Sequence, residues 1–110
     1  MTVHERERAG VHVVEVTGDL DLASAPELCA RLDADRSRNL LVDLSDLDFC
    51  DSTGLRALIG AAKEVRAHGG RFVIVCPATG DVARLLTIVG ASEWLAVHRD
   101  AESGLAALTV

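Results

Sequence analysis

The stretch Leu47-Asp48-Phe49-Cys50-Asp51-Ser52-Thr53-Gly54-Leu55 is where an apolar strand hands the chain over to an amphipathic helix. Ser52 stands at the junction, at the end of a strand expected to be buried. Beyond it, Leu55, Leu58, Ile59, Ala62 and Val65 recur at helical spacing, with Arg56, Lys63, Glu64 and Arg66 off that face. The spacing predicts a helix from about Gly54 to His68, stopped by Gly69-Gly70. A strand followed by a loop and a helix is the building unit of an α/β sheet. The junction also presents a hydroxyl at a helix N-terminus, where unpaired N–H groups favour an anion. A phosphate added there brings roughly −2 charge to a surface that a partner would read. That geometry suits a switch better than a catalyst.

Working outward, the same unit repeats. Upstream, Thr2 to Arg8 reads as a charged edge strand, Ala9-Gly10 as a turn, and Val11 to Thr17 as a β-branched strand, together a hairpin. Gly18-Asp19-Leu20-Asp21 is expected to be a loop. Ser24 can cap a helix beginning near Ala25-Pro26, with Glu27 at the third position of a near-capping box. Ala25, Leu28, Cys29 and Leu32 form its apolar face. Leu40 to Leu44 is a short, nearly continuous apolar strand, as expected when both faces are covered.

Downstream, Phe72 to Cys76 is a further buried strand, ended by Pro77. A helix carrying Val82, Leu85, Leu86 and Val89 follows, closed by Gly90. Trp94 to Val97 is a last strand, and Asp100 can cap a C-terminal helix reaching about Leu108. The order β-β-α-β-α-β-α-β-α implies parallel crossovers after the first hairpin. The expected fold is α/β, a mostly parallel mixed sheet with one antiparallel hairpin and about four helices. Its 110 residues read as a single domain, 1–110.

Composition narrows the function. The chain is 49% hydrophobic, enough for a core, and only 3% aromatic, so aliphatic side chains must fill it. Its formal net charge is −6. An acidic chain without a basic stripe is a poor nucleic-acid binder, and no basic amphipathic helix marks a membrane surface. No apolar run approaches the roughly 18 residues of a membrane span, and Met1 to Ala9 lacks a signal-peptide core. A cytoplasmic location is expected, and a monomer. Cys29, Cys50 and Cys76 are odd in number and widely spaced, which fits a reducing compartment.

Enzyme templates do not fit, and no cofactor is expected. Gly69-Gly70 ends a helix instead of opening one, and neither a Walker lysine pattern nor a dinucleotide fingerprint occurs. His4, His12, His68 and His98 are scattered, without metal-ligand spacing. Ser52 is preceded by Asp51 and not set in a G-x-S-x-G elbow. Asp43 lacks the acidic pair and late lysine of a receiver phosphoacceptor site; Lys63 is the chain's one lysine. Cys29, Cys50 and Cys76 read as small core residues. Asp19 and Asp21 lie in one loop at the sheet edge, and Asp46, Asp48 and Asp51 in another. They are either solvated turn residues or an acidic rim around Ser52. Thr53 or Ser52 would cap the helix; one hydroxyl can cap while the other is presented.

An ordered set of motifs now stands out: Gly18-Asp19-Leu20-Asp21, Ser24-Ala25-Pro26-Glu27-Leu28, Asp43-Leu44-Ser45, Phe49-Cys50-Asp51-Ser52-Thr53-Gly54-Leu55, Gly69-Gly70 and Leu85-Leu86-Thr87-Ile88-Val89-Gly90. From Val3 to Val97 the chain resembles the STAS domain of bacterial anti-sigma factor antagonists, of the sporulation and general-stress type. The resemblance implies partner switching. The unphosphorylated antagonist binds an anti-sigma factor serine kinase and frees a sigma factor; phosphorylation of the serine after the aspartate, here Ser52, blocks binding. A PP2C-type serine phosphatase reverses the mark. The partner-binding set implied here is Asp19, Asp21, Asp51, Ser52, Thr53, Gly54 and Arg56. Arg56 and Cys50 depart from the family pattern, which often has glycine at the first position and a larger apolar residue at the second. The alternative is a STAS adaptor that does not switch, a stressosome-like scaffold or a lipid-transport subunit.

Overall fold

The computed structural model describes residues 1–32, 39–88, 90 and 95–109. The described residues form six strands and four helices: β1 (Thr2–Arg8), β2 (Val11–Leu20), α1 (Ala25–Leu32), β3 (Leu40–Asp43), β4 (Leu47–Cys50), α2 (Ser52–Ala67), β5 (Phe72–Val75), α3 (Asp81–Ile88), β6 (Ala96–His98) and α4 (Ala101–Thr109). The sheet runs β1-β2-β3-β5-β6, and β4 also pairs with β2. β1 and β2 are antiparallel; every other pairing is parallel. Ala9 and Gly10 both take positive φ, 52° and 78°. Two such residues give a hairpin turn whose twist matches that of the strands it joins.

Strand parity sorts the core into two layers. Val14, Val16, Leu40, Val42, Phe72 and Ile74 join the buried residues of α1, α2 and α3 on one face. Val11, Val13, Leu41, Val73 and Val75 meet Leu108 of α4 on the other. Gly104 lets α4 lie close, since a Cβ there would sit 2.8 Å from Leu41 Cδ1. Asp100 caps α4 as expected, its carboxylate accepting the Ser103 N–H at 2.7 Å.

Four expectations are corrected. Gly18 to Leu20 is not a loop: β2 continues through it and pairs with β4, shifting register between Gly18 and Asp19. Gly18 has φ +84°, a conformation open to glycine that lets the strand bulge and still pair onward. Leu47 to Cys50 is a strand of its own and not wholly buried, because Asp48 and Phe49 are exposed. Asp48 is therefore a strand residue. α2 begins at Ser52, not Gly54. Ser24 does not cap α1 with its side chain; its hydroxyl turns back to Asp21 and to Asp19 at the end of β2. Val89 and Trp94, assigned from sequence to the third helix and the last strand, lie outside the described residues.

Candidate functional site at the end of β2 and β4

β2 is long enough to serve two partners in succession. Its first half pairs with β3 (His12↔Leu40 to Glu15↔Asp43), its second with β4 (Gly18↔Leu47, Asp19↔Phe49, Leu20↔Cys50). Between these partners the chain makes one tight turn: Leu47 N–H donates to Leu44 C=O at 3.1 Å, and Asp43 Oδ1 accepts the Ser45 N–H at 2.9 Å. β4 thus runs out beside the end of β2. Asp51 N–H then donates to Leu20 C=O at 3.2 Å and ties the two exits together.

Asp51 is the N-cap of α2. Its backbone is extended (φ −97°, ψ −178°), and Oδ1 accepts the Gly54 N–H at 2.8 Å. This corrects the assignment of the cap to Thr53 or Ser52. A carboxylate at the N-cap satisfies one orphan donor and complements the helix dipole. With the cap supplied by Asp51, Ser52 becomes the first helical residue. Its side chain is exposed and makes no hydrogen bond to a described residue. Behind it, Gly54, Leu55 and Leu58 are buried, which holds the helix end still. Gly54 seats directly on Leu20: a Cβ there would lie 2.6 Å from the Leu20 carbonyl oxygen.

The facing loop is equally ordered. Asp21 Oδ1 accepts the N–H groups of Ala23 (3.0 Å) and Ser24 (3.1 Å), and its own N–H donates to Ser24 Oγ at 2.9 Å. Ser24 Oγ donates to the Asp19 carbonyl at 2.8 Å. The hydrogen bonds from the Ser24 backbone and hydroxyl, with a smaller one from Ala23, hold the Asp21 carboxyl below the usual aspartate range. It is a fixed negative charge at neutral pH. Leu22, the tip of this loop, is 73% exposed, and Phe49 on β4 is 46% exposed.

The sequence profile of the STAS domain matches residues 2–104. The chain belongs to the STAS domain family. Among its relatives, the anti-sigma-B factor antagonist of Bacillus subtilis (strain 168) is 30% identical over 94 residues, 84% of this chain and 85% of that protein. The crystal structure of an anti-sigma factor antagonist from Mycobacterium paratuberculosis matches with a TM-score of 0.91 at 26% identity, covering 99% of this chain and 94% of that one. SpoIIAA shares the fold in its unphosphorylated form (TM-score 0.75, 19% identity, 93% and 92% covered). So does Bacillus SpoIIAA in its phosphorylated form (0.70, 18%, 93% and 96%).

The STAS fold brings Asp19 and Asp51 to one sheet end, where Asp19 is in register with Phe49 and Asp51 is bonded to Leu20. Asp46 and Asp48 are exposed nearby along the chain, while Asp43 is used locally by the Ser45 amide. Thr53 and Arg56 turn to a groove of about 550 Å³ between α1 and α2, lined otherwise by Leu22, Ala25, Pro26, Cys29, Leu32, Ala57, Gly60, Ala61 and Glu64. Cys29, expected in the core, is only half-buried here. Burial first, then the Asp51 charge and Cys76, push the Cys50 thiol up to about 11, so it stays protonated. The described residues contain no group of three or more His, Cys, Asp or Glu able to hold a metal. None of the described helices is long and apolar enough to cross a membrane.

Sequence reasoning missed the groove and the exposure of Leu22 and Phe49. Leu22 carried a usable signal: it is a large apolar residue directly after Asp21, in the short segment between β2 and α1. The groove carried none, because it depends on the distance between two helices.

Proposed function

We infer that this protein is an anti-sigma factor antagonist that works by partner switching, a regulatory binding protein and not an enzyme. The observation that carries the reading is the Ser52 hydroxyl: exposed, free of hydrogen bonds to described residues, and held at the first position of a helix capped by its neighbour Asp51. The names of its relatives support the antagonist role, and the phosphorylated Bacillus SpoIIAA supports a covalent switch in the family.

In this reading the unmodified chain binds an anti-sigma factor that is also a serine kinase, and a sigma factor is released. The kinase then transfers the γ-phosphoryl group of ATP to Ser52. An Oγ–P bond forms, the bond to the β-phosphate oxygen breaks, ADP leaves and the hydroxyl proton passes to a base or water. A PP2C-type phosphatase hydrolyses the ester and restores the hydroxyl. Asp19, Asp21, Asp51, Ser52, Thr53, Gly54 and Arg56 form the partner-binding surface. Thr53 is the poorer acceptor because its half-buried side chain lines the groove. The protein acts as one STAS domain over 1–110, as a monomer in the cytoplasm, with no nucleic-acid or membrane partner.

Electrostatics gives the switch its direction. Phosphate on Ser52 adds a charge of roughly −2 beside Asp51, at the sheet end that carries Asp19 of β2 and Asp21. Like charges across a desolvated interface cost several kcal/mol. A cost of about 4 kcal/mol weakens binding roughly a thousandfold.

Mass spectrometry of protein from its native cells should map phosphate to Ser52 on part of the population. Against the isolated kinase, Ser52→Ala should keep wild-type affinity and Ser52→Asp should lose it by at least tenfold. Equal binding by both variants, with no phosphate under growth or stress, would overturn the switch and favour the adaptor that does not switch.

A further inference from the structure

Ser52 and Arg56 lie one helical turn apart, both exposed on α2. Residues at i and i+4 bring their Cβ atoms to within roughly 6 Å, and a pair with the acid on the N-terminal side is the favourable order. Every Cα–Cβ bond of a helix tilts toward its N-terminus, so a long side chain at position 56 reaches back over position 52. Arg56 has no acidic partner among the described residues, whereas Arg6, Arg31 and Arg84 are paired with Glu15, Glu5 and Asp81. The helix end itself has less to offer an anion, because the Asp51 carboxylate already takes the Gly54 N–H. A dianion on Ser52 therefore has one carboxylate as its immediate neighbour and one uncommitted guanidinium a turn away.

We propose that Arg56 is an internal clamp for phosphorylated Ser52, turning its guanidinium back onto the phosphate and away from the mouth of the α1–α2 groove. The proposal deepens, and rests on, the reading of Ser52 as the acceptor. In the unmodified protein Arg56 stands in the groove wall with Thr53, Ala57 and Gly60, as a cation offered to a partner. Once the phosphate is in place, the planar fork makes two parallel N–H···O bonds to it. Modification then changes the binding surface twice. It adds negative charge at position 52 and withdraws the positive charge at position 56.

The test uses the full chain with phosphoserine installed at position 52 during translation, so no kinase is required. Titration by phosphorus NMR between about pH 5 and 8 reads the second phosphate pKa, ordinarily near 6. The wild-type value should lie at least about 0.3 unit below that of Arg56→Ala, a twofold change in the proton affinity, with Arg56→Lys between them. Arg66→Ala, at the far end of α2, should match wild type. On phosphorylation the Arg56 Nε resonance and the Ala57 and Ala61 methyl resonances should move in wild type, and the methyls should stay still in Arg56→Ala. Identical phosphate pKa values in wild type and Arg56→Ala, with an unmoved Nε, overturn the clamp. A lowered pKa with unmoved methyls overturns its coupling to the groove. Because the phosphate is installed, these outcomes do not depend on cellular phosphorylation; finding no phosphate on Ser52 in cells overturns the proposed function instead.

Discussion

At the scale of single residues, the site turns on which of three adjacent cap-competent side chains does the capping. Asp51, Ser52 and Thr53 can each accept a helix N–H, and composition alone does not rank them. The structure chooses Asp51, through a 2.8 Å bond to Gly54 N–H, and this frees the Ser52 hydroxyl. Asp51→Ala should cost about 1 kcal/mol of stability through loss of the cap. Asp51→Asn should recover most of it, since an amide oxygen can accept the same bond. Chemical denaturation of both variants measures the difference, and equal loss in both would show that charge, not capping, is what Asp51 contributes. The place of Ser52 at a strand–helix junction was legible from sequence; the identity of the helix cap was not, because it depends on where Leu20 holds the Asp51 amide.

At the scale of elements, the strand–helix junction is set by close approach. α2 rests on the end of β2 at Gly54, where a Cβ would lie 2.6 Å from the Leu20 carbonyl oxygen and 2.7 Å from its Cγ. A backbone oxygen in a paired strand cannot give way cheaply. Gly54→Ala should therefore destabilise the fold by roughly 1–3 kcal/mol, although alanine is the better helix former. Gly60, exposed on the same helix, would set its Cβ in open space. Gly60→Ala should stabilise by about 0.5–1 kcal/mol. Thermal melts of the two variants should shift in opposite directions, and a shared direction would remove the packing argument. Helix faces and the strands β1, β2, β3, β5 and β6 were readable from apolar periodicity. The continuation of β2 through Gly18 was not, because a glycine next to an aspartate is also how a loop begins, and here the β4 ladder outweighs that local preference.

At the scale of the whole molecule, the far end of the sheet is tied by ions while the site end rests on backbone and cap bonds. Glu5 on β1 meets His12 of β2 and Arg31 of α1, both at 3.0 Å. Burial works to raise the Glu5 carboxyl, but hydrogen bonds from Arg31 and His12, with their charges, outweigh it and hold it below its ordinary value. A carboxyl depressed in the folded state contributes stability that is fully present above its unfolded pKa and is lost as pH falls through the folded one. Glu5→Gln should therefore lose stability at pH 7 and lose less than wild type on further acidification, so that its acid-unfolding curve is flatter than wild type below about pH 4.5. Parallel curves would assign the acid sensitivity elsewhere. The hairpin, the α/β class and the place of Ser52 at a strand–helix junction were determined by the sequence alone, because apolar period, turn residues and motif order are local properties of the chain. Only the tertiary structure decided the cap at Asp51, the pairing of β4 with the second half of β2, the exposure of Leu22 and Phe49, and the groove in which Arg56 stands. Each of these depends on the distance between segments far apart in the chain, and that distance is set by how two hydrophobic layers close on one sheet.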